Sequence, residues 1–311
     1  MTGSAAVLEL ARGPAQPGPG PMPDALLRAL DLTIARRIDG LLPGDHRAAA
    51  LGLGTELAQI RPYVPGDDVR RIDWNVTART GELHVRVDVA ERVLTTWLVL
   101  DRSPSMVFGT ADRRKADVAA GVALAVGRIA GRRGNRLGVV TFGEESPKTI
   151  PPRHGTRGTF GLFEVLRQDL EERGFHDSSL DGALRRTARL ARSRSAVFVV
   201  SDFREPRSFR GSLAQLAGRH HVTAVEIRDP REQELVDVGE LWLVDPETGR
   251  QLRVDTSSRR LRERFAERAA EERRELACEL RSARAEHVVL STSGDWLRAL
   301  ADFLRRQGGR R

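Results

Sequence analysis

From Thr95 onward the chain alternates short apolar runs with amphipathic stretches, and this alternation limits its fold more than any other feature. The runs are 95–100, 137–142, 196–201, 222–227 and 287–291, with a shorter candidate near 148–150. Short runs of this kind, closed by polar turns, read as strands buried on both faces. Between them, residues 113–131, 159–172, 180–192, 208–219, 257–284 and 295–306 carry apolar residues at helical spacing. Alternating strands and helices build a parallel sheet covered on both sides. The expected architecture is therefore an α/β, three-layer, doubly wound and mostly parallel sheet of Rossmann-like type. A hairpin is expected late in the chain, with strands 241–244 and 251–254 joined by the turn Asp245-Pro246-Glu247-Thr248-Gly249.

The chain before Thr95 is of a different kind. Residues 13–23, eight of them Gly or Pro, offer few amides for a hydrogen-bonded element, which predicts a disordered leader over 1–23. Asp24 can cap a helix that carries Leu26, Leu27, Leu30, Ile34, Ile38 and Leu41 and stops at Pro43-Gly44. A polar stretch, Gly52 to Gly81, comes next. Leu83, Val85, Val87 and Val89 then alternate with His84, Arg86, Asp88 and Ala90, the period of a half-buried strand. The expected organisation is a leader over 1–23, a helix and strand extension over 24–93, and the α/β domain over 94–311.

Composition narrows the function classes. With 311 residues, 40% of them apolar, the chain can bury a substantial core. Its net charge of +8 comes almost wholly from arginine, since Lys115 and Lys148 are the only lysines, and acidic residues are interspersed throughout. Cys278 stands alone, so no intrachain disulfide can form. No stretch approaches the ~18 apolar residues needed to span a bilayer, and no export signal opens the chain. A cytoplasmic location is the expectation.

The candidate chemistry lies at strand ends, where ligands collect in open α/β sheets. Asp101-Arg102-Ser103-Pro104-Ser105 succeeds the first buried run, and oxygens at i, i+2 and i+4 of a tight loop can converge on one hard cation such as Mg²⁺. Asp202 occupies the same place after run 196–201. Ser178-Ser179 opens a helix and brings further hydroxyls. These side chains can also act as helix caps and turn formers.

Residues 61–81 are dense in paired charge. Pro65-Gly66 makes a turn, Asp67-Asp68 can cap the next element, and Arg70, Arg71, Asp73 and Arg79 are positioned to form ion pairs. Tyr63, Ile72 and Trp74 are expected to anchor the segment. It reads as an internal brace or as a binding surface.

Two resemblances gather these features. The Asp101, Ser103, Ser105 loop with Asp202 resembles the metal-ion-dependent adhesion site of the von Willebrand factor type A fold, and a middle-loop hydroxyl falls on Ser178, with Ser179 as an alternative. That fold places its first and fourth strands side by side. The segment containing Arg61, Tyr63, Pro65, Gly66, Asp67, Asp68, Arg70, Ile72, Asp73, Trp74 and Arg79 resembles the hallmark of the domain of unknown function 58 family, whose members couple it to a type A domain. The similarity covers about residues 45–306. Two departures stand out: Ala48 replaces the common Ser or Thr after His46-Arg47, and Phe203 comes after Asp202 where many relatives have glycine. The resemblance implies a non-enzymatic, metal-dependent adaptor that partners a MoxR-type AAA+ ATPase and a client in protein maturation or remodelling. Its cofactor would be weakly held Mg²⁺, with Mn²⁺ or Ca²⁺ as alternatives.

Rival readings have less support. A haloacid dehalogenase-type phosphoesterase needs a second aspartate where Ser103 stands. A nuclease built on Asp67, Asp68 and Asp73 would have those carboxylates neutralised by neighbouring arginines. Nucleic-acid binding through the arginine-rich surface lacks stacking platforms, as aromatics are 5% of residues. His154, His176, His220, His221 and His287 show no ligand spacing.

Overall fold

The computed structural model describes residues 14–27, 51–89, 95–132, 135–168, 178–205, 207–244 and 250–308. The chain divides into two units, one of residues 1–34 with 94–311 and the other of residues 35–93. Among the described residues, no helix is long and apolar enough to cross a membrane.

In the smaller unit, strands β1 (Leu51–Pro62) and β2 (His84–Val89) pair antiparallel. A 3-10 turn, Val69–Arg71, and helix α1 (Trp74–Thr80) lie between them. β1 falls largely in the stretch read only as polar, because strand preference depends on context and is supplied here by the β2 partner.

The larger unit is built on strands β3 (Thr95–Asp101), β4 (Arg136–Phe142), β5 (Thr149–His154), β6 (Ala196–Ser201), β7 (His221–Arg228) and β10 (Glu286–Ser291). Their order is β10-β7-β6-β3-β4-β5, parallel except for the antiparallel edge strand β5. The first and fourth strands of the sheet, β3 and β6, are neighbours, so the doubly wound type A-like arrangement is present. β8 (Glu240–Val244) and β9 (Gln251–Asp255) form the separate late hairpin, whose turn 245–249 lies outside the described residues.

Alternation along the strands divides the core. Trp97 and Val99, with Val197 and Val199, face a layer of helices α4 (Leu180–Leu190), α5 (Arg210–Arg219) and α6 (Arg259–Ser282). The other face carries α2 (Lys115–Arg132), α3 (Gly155–Leu166) and α7 (Trp296–Gly308). α2 can sit this close because Gly121 leaves room for the Trp296 ring, which a Cβ there would meet at 2.3 Å.

The Pro/Gly segment departs from expectation. Of the leader expected over 1–23, residues 1–13 lie outside the described residues, and residues 14–23 lie as a strap on the larger unit. Gln16 N–H donates to the Asp112 carbonyl at 2.7 Å, and the Trp296 indole N–H donates to the Pro19 carbonyl at 2.9 Å. Prolines forbid helix and ladder but leave carbonyls free to accept. Residues 24–27 are helical, Asp24 pairs with Arg128, and Leu27 is buried. The rest of the expected helix lies outside the described residues, as do His46, Arg47 and Ala48.

Candidate functional site

Three successive parallel strands, β3, β6 and β7, each end on or just before an aspartate: Asp101, Asp202 and Asp229. All three carboxylates are buried.

The loop after β3 folds as its sequence requires. Asp101 Oδ1 accepts from the Ser103 amide at 2.9 Å, an Asx turn, and Pro104 then opens the 3-10 turn Pro104–Val107. The Ser103 and Ser105 hydroxyls are 3.0 Å apart, so the side-chain oxygens at i+2 and i+4 of the loop meet. Arg102 points the other way. Its buried guanidinium bonds Glu144 at 2.7 Å and the Val165 and Gln168 carbonyls at 3.0 and 2.9 Å, which ties the loop to the end of α3.

Asp101 faces a second contact that sequence reasoning missed, the Ser201 hydroxyl, which donates to Oδ2 at 2.5 Å. Burial and the nearby charge of Asp202 raise the Asp101 carboxyl to about 7, against the lowering effect of the hydrogen bonds from Ser201 and Ser103.

Asp202 has a different environment. The Lys115 ammonium, wholly buried, donates to Asp202 Oδ2 at 2.6 Å and to Glu232 Oε1 at 2.7 Å. Burial alone would raise the Asp202 carboxyl, but Lys115, with help from Arg204, brings it below the ordinary range. Lys115 stays firmly protonated, because its two carboxylates outweigh the burial that opposes its charge. Phe203 adopts the left-handed φ of 55° that glycine would take without strain. Its amide bonds Ser201 Oγ, and its buried ring lies 5.8 Å from that of Phe209, so packing holds the loop in place of a glycine.

Ser178 does not join the cluster as a free donor. Its hydroxyl accepts from the Gly143 and Glu144 amides at 2.8 and 3.2 Å and donates to the Glu144 carbonyl at 3.0 Å. Both lone pairs and the proton are committed. Ser179 caps α4 by accepting from Gly182 N–H at 3.2 Å.

Asp229 ties the sheet end together, accepting from the Thr110 amide and hydroxyl, the Thr292 hydroxyl and the Arg231 amide. It also shares a capping box with Glu232, which thereby orients the second partner of Lys115. Lys115 and Glu232 escaped sequence reasoning. One clue was available: Lys115 is one of only two lysines among 51 basic residues.

In the smaller unit, the hallmark segment braces itself. Arg61 holds Asp67 with two 2.8 Å bonds and keeps that carboxyl below its usual range. Asp68 caps the 3-10 turn. Asp73 caps α1 and pairs with Arg86 at 2.8 Å. The expected pairs from Arg70 and Arg79 give way to these two, because Arg61 and Arg86 lie on the strands facing the aspartates. Tyr63 and Ile72 are half-buried, as an anchor would be, whereas Trp74 is 67% exposed and anchors nothing among the described residues.

A divalent cation fits part of this arrangement. Asp101, Ser103 and Ser105 supply a buried, uncompensated carboxylate and two hydroxyls. Asp202 already has a cation, and Ser178 has no lone pair to give. No trio of His, Cys, Asp or Glu among the described residues is arranged to hold a metal. Open clefts of about 480 and 570 Å³ reach Asp101 and Asp202, respectively.

Known proteins are similar to this chain in sequence, and solved structures align with it more distantly. The family described as "Protein of unknown function DUF58" matches residues 59–275. Uncharacterized proteins of Mycobacterium bovis and Mycobacterium tuberculosis are each 38% identical over 288 residues, covering 91% of this chain and 90% of theirs. Among solved structures, the conserved hypothetical protein BatB from Bacteroides thetaiotaomicron aligns at 13% identity, TM-score 0.45, over 68% of this chain and 98% of its own. The SpRpn10 VWA domain aligns at 16% identity, TM-score 0.37, over 69% and 95%.

Proposed function

The chain belongs to the DUF58 family, and from that premise we propose that its larger unit is a protein-binding module, not an enzyme, engaging its partner at the Asp101–Ser103–Ser105 loop with the help of a divalent cation. The observation that supports this most is the buried Asp101 carboxylate, which has no ion-pair partner among the described residues, borders an open cleft, and shares a tight loop with the facing Ser103 and Ser105 hydroxyls. Such a carboxylate is poised to accept a cation.

Asp101, Ser103 and Ser105 would hold Mg²⁺, with Mn²⁺ or Ca²⁺ as alternatives. When bound, it supplies a position for a carboxylate of the partner, with water completing the shell. Arg102 and the Asx turn keep the loop shaped before any partner arrives. The partner proposed from the family resemblance is a MoxR-type AAA+ ATPase, in maturation or remodelling of a client protein.

Against nucleic acid as the partner, the arginines of α6 are engaged with neighbouring acids: Arg259 with Glu263, and Arg268 with Glu271 and Glu272. They form a solvated, self-neutralised face.

The test is an affinity pull-down from native lysate with Mg²⁺, with EDTA, and with the double variant Asp101→Ala/Ser103→Ala, eluates being identified by mass spectrometry. A AAA+ ATPase retained only by the intact protein with Mg²⁺ is the expected result. The same partners in all three lanes would overturn the reading and move attention to the Arg61–Arg79 segment.

A further inference from the structure

Lys115 occupies a place that a two-aspartate cation site would need open. Its side chain is 0% exposed, and its ammonium lies 2.6 Å from Asp202 and 2.7 Å from Glu232. Its amide donates to the Phe108 carbonyl at 2.9 Å, and its ammonium sits 5.8 Å from the centroid of the Phe108 ring. Glu232 is itself fixed by the capping box with Asp229. The ammonium is thus a fixed part of the structure, delivered by the first turn of α2 and held from β6 and from the turn after β7.

We propose that Lys115 is the resident counter-ion of Asp202, confining any divalent cation to the Asp101–Ser103–Ser105 half of the site and setting how weakly that cation is held. This rests on the cation-assisted reading above. The physics is direct. The negative charge of Asp202 reaches Asp101, and a fixed ammonium 2.6 Å from Asp202 offsets the attraction that this carboxylate would otherwise lend to a cation at the Asp101 loop, where burial leaves such effects poorly screened. Asp202 can then contribute only the field left over from its pairing with Lys115. Glu232 acts oppositely, because its negative charge offsets that of Lys115. The triad of Lys115, Asp202 and Glu232 carries a net charge of one minus, whereas Asp202 and Glu232 without the lysine would carry two.

The two flanking residues therefore make opposite predictions. Lys115→Met should tighten cation binding by roughly tenfold or more, and Glu232→Gln should weaken it severalfold. A residue that merely braces the fold would not behave so, since both substitutions loosen the same buried cluster and would shift affinity in one direction.

The experiment is a Mn²⁺ titration of the full chain, with the free ion read by electron paramagnetic resonance. It compares the natural sequence with Lys115→Met, Glu232→Gln and Asp101→Asn, and circular dichroism verifies the fold of each. Tighter binding by Lys115→Met, weaker binding by Glu232→Gln and loss in Asp101→Asn is the expected set. Unchanged or weaker binding by Lys115→Met, with Asp101→Asn still abolishing it, overturns the role of Lys115 and leaves the site reading intact. Binding that is indifferent to Asp101→Asn overturns the site reading itself. Should Lys115→Met fail to fold, Glu232→Gln decides alone: weaker binding supports the proposal, and equal or tighter binding refutes it.

Discussion

Asp101 and Asp202 stand at the carboxyl ends of adjacent parallel strands of one sheet, both buried, yet their carboxyls are displaced in opposite directions, Asp101 up to about 7 and Asp202 down. Burial pushes each upward. At Asp101 the opposition comes from hydrogen bonds of Ser201 and of the Ser103 side chain and amide, and these do not suffice. At Asp202 it comes chiefly from a whole ammonium at 2.6 Å, which does. Asp101 also feels the negative charge of Asp202, so the difference sets a full counter-charge at one aspartate against hydrogen bonds and a neighbouring carboxylate at the other. The compensated aspartate serves as a brace, and the uncompensated one is the end proposed to receive the cation.

The largest expected effect tests that division directly. Asp202→Ala leaves Lys115 with Glu232 alone and should cost about 3–5 kcal/mol, the usual penalty for removing one partner of a buried ion pair. Asp101→Asn keeps an oxygen for the Ser103 amide and removes an uncompensated charge, so at neutral pH it should cost nothing or stabilise the metal-free protein. Guanidinium unfolding of both variants checks this. Equal destabilisation by the two would erase the contrast between the strand ends.

The same contrast explains what could be seen in the sequence. The Asp101–Ser103–Ser105 cluster was legible because its members lie within one turn of chain, where spacing alone fixes proximity. The alternation of strands and helices was legible for the same local reason, and the helix after Ser179 begins at Leu180 as expected. The Lys115 pairing was not legible. It spans 87 residues to Asp202 and 117 to Glu232, and it exists only once β3, β6 and β7 are in register with α2 packed across them. Ser178 misleads for a related reason: its spacing places it at the right sheet end, but its hydroxyl is taken by the Gly143 and Glu144 amides. The strap of residues 14–23 is hidden because proline content reports on helix and ladder formation, not on whether single carbonyls find donors such as the Trp296 indole.

A pH series sharpens the comparison at the next level of magnitude. Because the folded Asp101 carboxyl titrates near 7, above its ordinary value, the native state holds that proton more tightly than the unfolded chain does. Its contribution is then fully present at low pH and is lost as pH rises from about 4 to about 7. Asp101→Asn should therefore gain on the natural sequence across that window, by something on the order of 2–4 kcal/mol, and run parallel to it above pH 8. Urea unfolding at pH 4.5, 6 and 8 measures the difference. A constant offset at all three values would mean that Asp101 is ionised throughout and already compensated.

The smallest effect concerns the one backbone position that shapes the receptive end. Gly143 has φ of 76°, and a Cβ there would fall 2.7 Å from the Ser103 amide nitrogen and 2.8 Å from its Cβ. Its own N–H is shared between the Ser178 carbonyl and hydroxyl, so it cannot shift without loosening the loop that carries Ser178. Gly143→Ala should cost about 1–3 kcal/mol from backbone strain and crowding, and should displace Ser103 from Asp101, lowering Mn²⁺ affinity. Gly182 provides the control, being helical with its added Cβ in ordinary contact 3.6 Å from Ser179 Oγ. Gly182→Ala should be neutral or stabilise by up to about 1 kcal/mol through helix propensity, with Mn²⁺ affinity unchanged. If the two alanines affect the cation equally, the geometry of the Asp101 loop is not what holds it, and the distinction between the receptive and the braced strand end would have to rest on charge alone.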